Sequence, residues 1–132
     1  MPGRRLNTQE ADAARVMVVD DNADFAEVLA LGLRADGYVT QTVTDGEAAW
    51  GLVEQFQPHC VLMDVHMPRL DGLELCRKLR ARFGDDVVLI AMSGVDADDP
   101  RVSATFAMVD HYLRKPFDLA QLRRALPPLA PR

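Results

Sequence analysis

Cysteine is scarce in this 132-residue chain: Cys60 and Cys76 are the only two, and they form no C-x-x-C pair. Both fall inside runs that read as strand or helix, which argues against a disulfide framework or a thiol metal site. They are expected to be small buried hydrophobes in a reducing compartment. Long hydrophobic runs are lacking too. No stretch approaches the roughly 18–20 apolar residues that span a bilayer, and the opening MPGRRLNTQE has no apolar core of a secretory signal. The expected location is cytoplasmic. A basic excess is also missing. The net charge of −5 argues against general nucleic-acid binding, which depends on clustered cations displacing counterions from phosphates. The basic residues that do gather, Arg77, Lys78, Arg80 and Arg82, read as the solvated face of one helix.

What is present is an ordinary globular balance, 48% apolar and 27% charged, in a length that suits one domain. Residues 1–14 read as a flexible leader, 15–127 as the folded domain and 128–132 as a tail.

Within the domain, short apolar runs alternate with helical periods. Residues 15–20 (RVMVVD) are a continuous apolar run closed by acids, which suits a strand covered on both faces of a parallel sheet. Asn22 can cap a helix with Phe25, Val28, Leu29 and Leu33 inward, stopped by Gly37. Residues 38–43 alternate apolar and polar, as an edge strand does. Thr44 and Glu47 have capping-box spacing before a helix that buries Ala49, Leu52, Val53 and Phe56 and ends at Pro58. Residues 60–65 form a third strand carrying Asp64, and the Met67-Pro68 turn follows. Asp71 and Glu74 repeat the capping spacing, opening a helix with Leu75, Cys76, Leu79 and Phe83 on one side and Gly84 at its end. Residues 87–92 are a fourth strand running into Ser93. Asp99 and Pro100 open a short, mobile helix marked by Val102 and Phe106. Residues 109–114 are a weaker strand at the second sheet edge, leading to Lys115. A last helix, capped by Asp118, buries Leu119, Leu122 and Leu126 before Pro127 stops it.

Five strands alternating with five helices predict a doubly wound α/β domain with right-handed crossovers. In such folds ligands bind outside the carboxyl ends of the strands, where strand order reverses. Asp20, Asp21, Asp64, Ser93 and Lys115 are far apart in sequence yet all fall at or just beyond strand ends. Carboxylates converging there repel unless protonated or matched by a cation, and an oxygen-only donor set favours Mg²⁺ over zinc. Lys115 and Ser93 then suit a phosphate rather than the metal. Phosphoryl transfer needs positioning, charge compensation and an in-line nucleophile. Asp64 fits that part, because its strand lies between the acidic pair and the Ser/Lys pair.

Taken together, Asp20-Asp21, Asp64 within DVHMPRLDG, Ser93 after IAM and Lys115-Pro116-Phe117 resemble the motifs of bacterial two-component response-regulator receiver domains of the chemotaxis-regulator kind. The resemblance covers about residues 15–126. It implies a flavodoxin-like (βα)5 fold with strand order 2-1-3-4-5, and a phosphoacceptor, Asp64, that takes a phosphoryl group from the phosphohistidine of a sensor kinase or a phosphotransfer protein. It implies Mg²⁺ held by Asp21, Asp64 and the backbone carbonyl of His66, with Asp20 contributing through water. Ser93 and Lys115 would bind phosphoryl oxygens, Tyr112 would be the rotating aromatic of the switch, and the Lys115-Pro116 bond would be cis. His66 would contribute its backbone rather than its ring. Two positions depart from the family pattern. Ala107 to Asp110 lacks the glycine many receivers carry before the fifth strand, so the helix end is expected to be reshaped or poorly ordered. Gly94, which follows the switch hydroxyl, is expected to loosen the loop near Lys115.

The resulting expectation is a signalling switch rather than an enzyme, with an unnamed downstream protein target and room for a homodimer. With five residues after Pro127, output would run through docking to a partner or through parts of a longer protein. Two alternatives stand beside it. One is an aspartate-nucleophile phosphohydrolase, which usually carries a second acid where this chain has His66. The other is a receiver-like interaction module that no longer uses phosphate.

Overall fold

The computed structural model describes residues 13–67, 69–94 and 99–128. Most of the proposed leader and tail, Pro68 of the Met67-Pro68 turn and residues 95–98 lie outside the described residues. The chain forms β1 (Arg15–Val19), α1 (Ala23–Ala35), β2 (Val39–Val43), α2 (Gly46–Phe56), β3 (Cys60–Asp64), α3 (Gly72–Phe83), β4 (Val88–Ser93), α4 (Pro100–Phe106), β5 (His111–Arg114) and α5 (Leu119–Ala125), with a 3-10 turn over Gly84–Asp86. All four strand pairings are parallel, and the order β2-β1-β3-β4-β5 is the flavodoxin-like one expected.

The strands read as apolar runs because both sheet faces are covered. Val16, Val18, Leu62, Ile90 and Met92 pack against Ala26, Leu29 and Leu33 of α1 and Leu122 and Ala125 of α5. Residues of the opposite parity, Met17, Val19, Val61, Met63 and Leu89, pack against Ala49 and Val53 of α2 and Leu75, Cys76 and Leu79 of α3. Each fully buried side chain of this size contributes roughly 1.5–3 kcal/mol, so the two layers hold the strand ends in a fixed frame. Ala14 is fully buried and its carbonyl accepts from Val39 N at 3.0 Å, so packing already begins there.

Side-chain oxygens start the helices. Asn22, Asp71, Asp99 and Asp118 each accept from a backbone amide of the following turn, and Asp118 forms a reciprocal box with Gln121. The second helix differs from expectation. Asp45, not Thr44, is its cap, accepting from Ala48 N at 2.7 Å. The carboxylate one residue on is positioned to reach the free amide, and Glu47 instead lies 4.0 Å from Arg69 Nη1.

Three inward assignments are also corrected. Val28 of α1 is 67% exposed, Phe106 of α4 45% and Leu119 of α5 37%. Ala26 and Ala30, Thr105, and Ala125 fill the corresponding inner positions, because helices lying close to a sheet leave room for small residues under the axis.

Arg80 departs from the solvated-face reading. Its guanidinium donates to the carbonyls of Met108, Gly84 and Val87 at 2.7, 2.8 and 2.9 Å and pairs with Asp110 at 2.9 Å. Asp110 in turn accepts from Leu89 N at 2.8 Å, and these bonds hold its carboxyl below the ordinary range despite burial. This clamp closes the segment after α4, where residues 107–110 hold no glycine. Arg80→Ala is expected to cost about 1–3 kcal/mol in urea unfolding, and Arg80→Lys to recover less than half, because a single ammonium cannot serve four diverging acceptors.

Candidate functional site

Strand register builds the site. Val19 pairs with Met63, so the next residues, Asp20 and Asp64, stand level at the ends of β1 and β3. Asp64 pairs with Met92 and Ser93 with Arg114, so Ser93 and Lys115 each stand one step further out. The acids and the Ser/Lys pair are thus stacked along one sheet edge. The gap between β1 and β3 is also the point where strand order reverses, the crevice that doubly wound sheets use for ligands.

Asp20 is fully buried, Asp64 nearly so, and Asp21 is exposed. One carboxylate oxygen from each lies within 4.8 Å of the others. Asp20 accepts from Asn22 N at 2.9 Å and from Lys115 Nζ at 2.8 Å. Asp64 accepts from His66 N at 3.1 Å and from Lys115 Nζ at 3.2 Å. A single ammonium therefore bridges two carboxylates.

The electrostatics follow from that arrangement. Burial raises the Asp64 carboxyl pKa above its ordinary value, helped by the Asp20 charge and opposed by Lys115 and the His66 amide. Burial works against the Lys115 charge, but the two carboxylates outweigh it and raise its pKa.

Ser93 is fully buried at the end of β4, and its carbonyl accepts from Lys115 N at 2.8 Å. The Lys115-Pro116 bond is cis, as expected. Tyr112 is half-buried in β5 and meets the Phe106 ring of α4 edge-on at 5.1 Å. The His66 ring places Nε2 3.8 Å from Asp99 Oδ1. Gly94 lies in open space, where an added Cβ would meet nothing within 4 Å. Packing therefore sets no need for glycine there.

Several neighbours escape sequence reasoning. Lys115 Nζ sits 4.5 Å from the centre of the Phe25 ring, and Phe25 meets Phe117 edge-on at 6.0 Å. The position of Phe25 in the first turn after Asp20-Asp21 is a signal for this, since that turn starts at the same sheet edge. Gly72 is a second case. A Cβ there would lie 2.4 Å from the Asp64 carbonyl oxygen and 2.7 Å from Val65 Cα, so α3 starts directly against the backbone at the end of β3 only because residue 72 lacks a side chain.

The donor set is oxygen-only, buried on one side and open on the other, which suits a small hard cation that keeps some of its water.

Known proteins resemble this chain. The curated response regulator MprA of Mycolicibacterium vanbaalenii is 42% identical over 108 residues, 82% of this chain and 46% of that protein. The chain thus spans about half the length of such relatives. The receiver domain of a sensor histidine kinase from Pseudomonas aeruginosa, solved with a magnesium ion coordinated in its active-site cleft, is 32% identical with a TM-score of 0.75, over 85% of this chain and 93% of that one. A response regulator protein from Burkholderia pseudomallei, solved with a phosphorylated aspartic acid, a calcium ion and citrate, is 27% identical with a TM-score of 0.76, over 86% and 66%. With residues 16–127 matching the response regulator receiver domain as a family, and with its acids, hydroxyl and lysine at the ends of a 2-1-3-4-5 sheet, the chain belongs to the receiver domains of two-component response regulators.

Proposed function

We propose that Asp64 is a phosphoacceptor and that the domain is a phosphorylation-controlled binding switch. The observation that carries this reading is the bridge from Lys115 Nζ to Asp20 and Asp64 at the edge of a three-carboxylate cluster. It joins a nucleophile, a cation for the incoming anion and a set of metal ligands in one crevice.

In the transfer, an Asp64 carboxylate oxygen attacks phosphorus in line, the P–N bond to the donor imidazole breaks, and the electron pair leaves with the imidazole nitrogen. Lys115 neutralises a phosphoryl oxygen, and Ser93 donates its hydroxyl to another. Asp21, Asp64 and the His66 carbonyl would hold Mg²⁺, with Asp20 contributing through water. Bound there, the ion would offset the charge gathered between the carboxylates and the phosphoryl oxygens. The new dianion draws Ser93 and Lys115 inward. Tyr112, already packed on Phe106, passes that shift to the α4 and β5 surface, where a downstream protein reads it.

The donor is a phosphohistidine on a sensor kinase or phosphotransfer protein. We place the domain in the cytoplasm, which the buried free thiols of Cys60 and Cys76 support. Residues 15–127 are the unit that carries the switch.

Incubation with a small acyl phosphate and Mg²⁺ is expected to add one phosphoryl group, mapped to Asp64 by peptide mass analysis, and to add none when the metal is chelated beforehand. Uptake at another residue, or turnover of ordinary phosphomonoesters, would overturn the assignment.

A further inference from the structure

The loop between β3 and α3 carries the carbonyl assigned to Mg²⁺ and the His66 amide that meets Asp64. Its position is set from outside the acidic cluster, on two sides.

On one side stands α2. Gly46, its first residue, is buried, and a Cβ built there would lie 1.8 Å from the Leu70 carbonyl oxygen, 2.7 Å from the Leu70 carbonyl carbon and 2.9 Å from Leu70 Cβ. Nothing flexible is in the way: the obstacle is the loop backbone, and Leu70 itself packs on the core formed by α2 and α3. Arg69, beside it, has a left-handed backbone (φ 62°) and extends Nη1 to 4.0 Å from both Asp45 and Glu47 of the same helix start. Any side chain at 46 must therefore push the loop.

On the other side stands α4. Arg101 pairs with Asp71, the residue that caps α3 through Glu74 N. Val102 of α4 packs on Val65, the residue after Asp64. Gly72 N donates to the Val65 carbonyl at 3.0 Å, so a shift at Asp71 reaches Asp64 within two hydrogen-bonded steps.

We propose that Gly46 and Arg101 are positioning residues for the Mg²⁺ site: the missing side chain at 46 and the Arg101–Asp71 pair hold the loop where its backbone can serve the metal and Asp64. This rests on the Mg²⁺ reading above. Neither residue touches the cluster, and neither would be found by a search among the acids.

The test titrates the full chain with Mg²⁺ alone, following backbone amide shifts, and records thermal unfolding through Trp50. Gly46→Ala is expected to bind Mg²⁺ about tenfold more weakly, the scale of lost outer-shell support. Gly51→Ala lies in the same helix with open space around its Cβ, and is expected to bind as the wild type does. Arg101→Ala is expected to weaken binding about threefold, and Arg101→Lys to restore most of it, the scale of a part-exposed ion pair.

A folded Gly46→Ala protein with wild-type Mg²⁺ affinity overturns the proposal. If Gly46→Ala does not fold, Arg101→Ala decides: unchanged affinity overturns the proposal, and weakened affinity restored by lysine supports it. A wild-type chain showing no Mg²⁺-dependent shifts at Asp20, Asp21 and Asp64 would instead sink the metal reading itself.

Discussion

Asp64→Asn is expected to take up no phosphate from an acyl-phosphate donor in Mg²⁺ and, in the absence of metal, to be more stable than the wild type near neutral pH. The first effect follows from removing the proposed nucleophile. The second follows from the cost of keeping one there. Burial raises the Asp64 pKa, the Asp20 charge adds to this, and Lys115 and the His66 amide only partly oppose it. A carboxyl with a raised folded-state pKa contributes stability that is fully present below its unfolded pKa and is lost as pH rises through the folded one. Near neutral pH the ionised group is therefore a net burden. Asparagine keeps an oxygen to accept from His66 N and carries no charge, so a gain of about 0.5–2 kcal/mol is expected, the usual range for relieving a functional site. Urea unfolding of both proteins without metal checks it. The gain should shrink as pH falls through the raised folded-state pKa and be gone below about 4, where the carboxyl is protonated in the unfolded chain as well. A less stable Asp64→Asn protein at neutral pH would show that Asp64 is held mainly by its partners rather than strained by burial.

That balance also explains what was legible in the sequence. A carboxylate ending a buried apolar run is costly enough to be informative, and Asp64 stands out for that reason. Parallel topology then turned separate strand ends into one edge, and the pairings of Val19 with Met63 and Asp64 with Met92 are what that reasoning required. Helix caps were legible at Asn22, Asp71, Asp99 and Asp118, where a side-chain oxygen stands directly before the helical period. At residues 44–45 two candidates were adjacent, and spacing alone could not tell the hydroxyl from the carboxylate.

Helical period fixes the centre of a buried stripe but not its margins, which is why Leu29 and Leu33 were placed correctly and Val28 was not. The misreading of Arg80 has a different origin. Its partners are mostly backbone carbonyls, and backbone acceptors leave no mark in a sequence. The same holds at Gly46 and Gly72, whose importance lies in the approach of Leu70 and Asp64 main-chain atoms.

Lys115→Met is expected to be the converse of Asp64→Asn, with both stability and phosphate uptake falling. The thioether fills much of the space of the lysine stem and can keep the contact with the Phe25 ring, so the change isolates the charge. Asp20, fully buried, would retain only the Asn22 amide among the partners described above, and Asp64 only the His66 amide. Removing one partner of a fully buried ion pair costs about 3–5 kcal/mol. Here the crevice is open on one side, with the Lys115 side chain 23% exposed, so a loss of about 1–3 kcal/mol is expected. Mg²⁺ should restore much of it by supplying the missing positive charge, whereas a monovalent salt at equal ionic strength should not. Phosphate uptake should fall about a hundredfold even in saturating Mg²⁺, the scale of losing one donor to a developing oxyanion, because the metal cannot take over the lysine's place on the phosphoryl group. Stability measured by urea unfolding and uptake measured by mass then separate the two duties of one ammonium. If stability falls and uptake does not, Lys115 is a structural counterion. If uptake falls and stability does not, the Lys115 bridge to Asp20 and Asp64 contributes little to the resting fold, and the residue is kept for the anion alone.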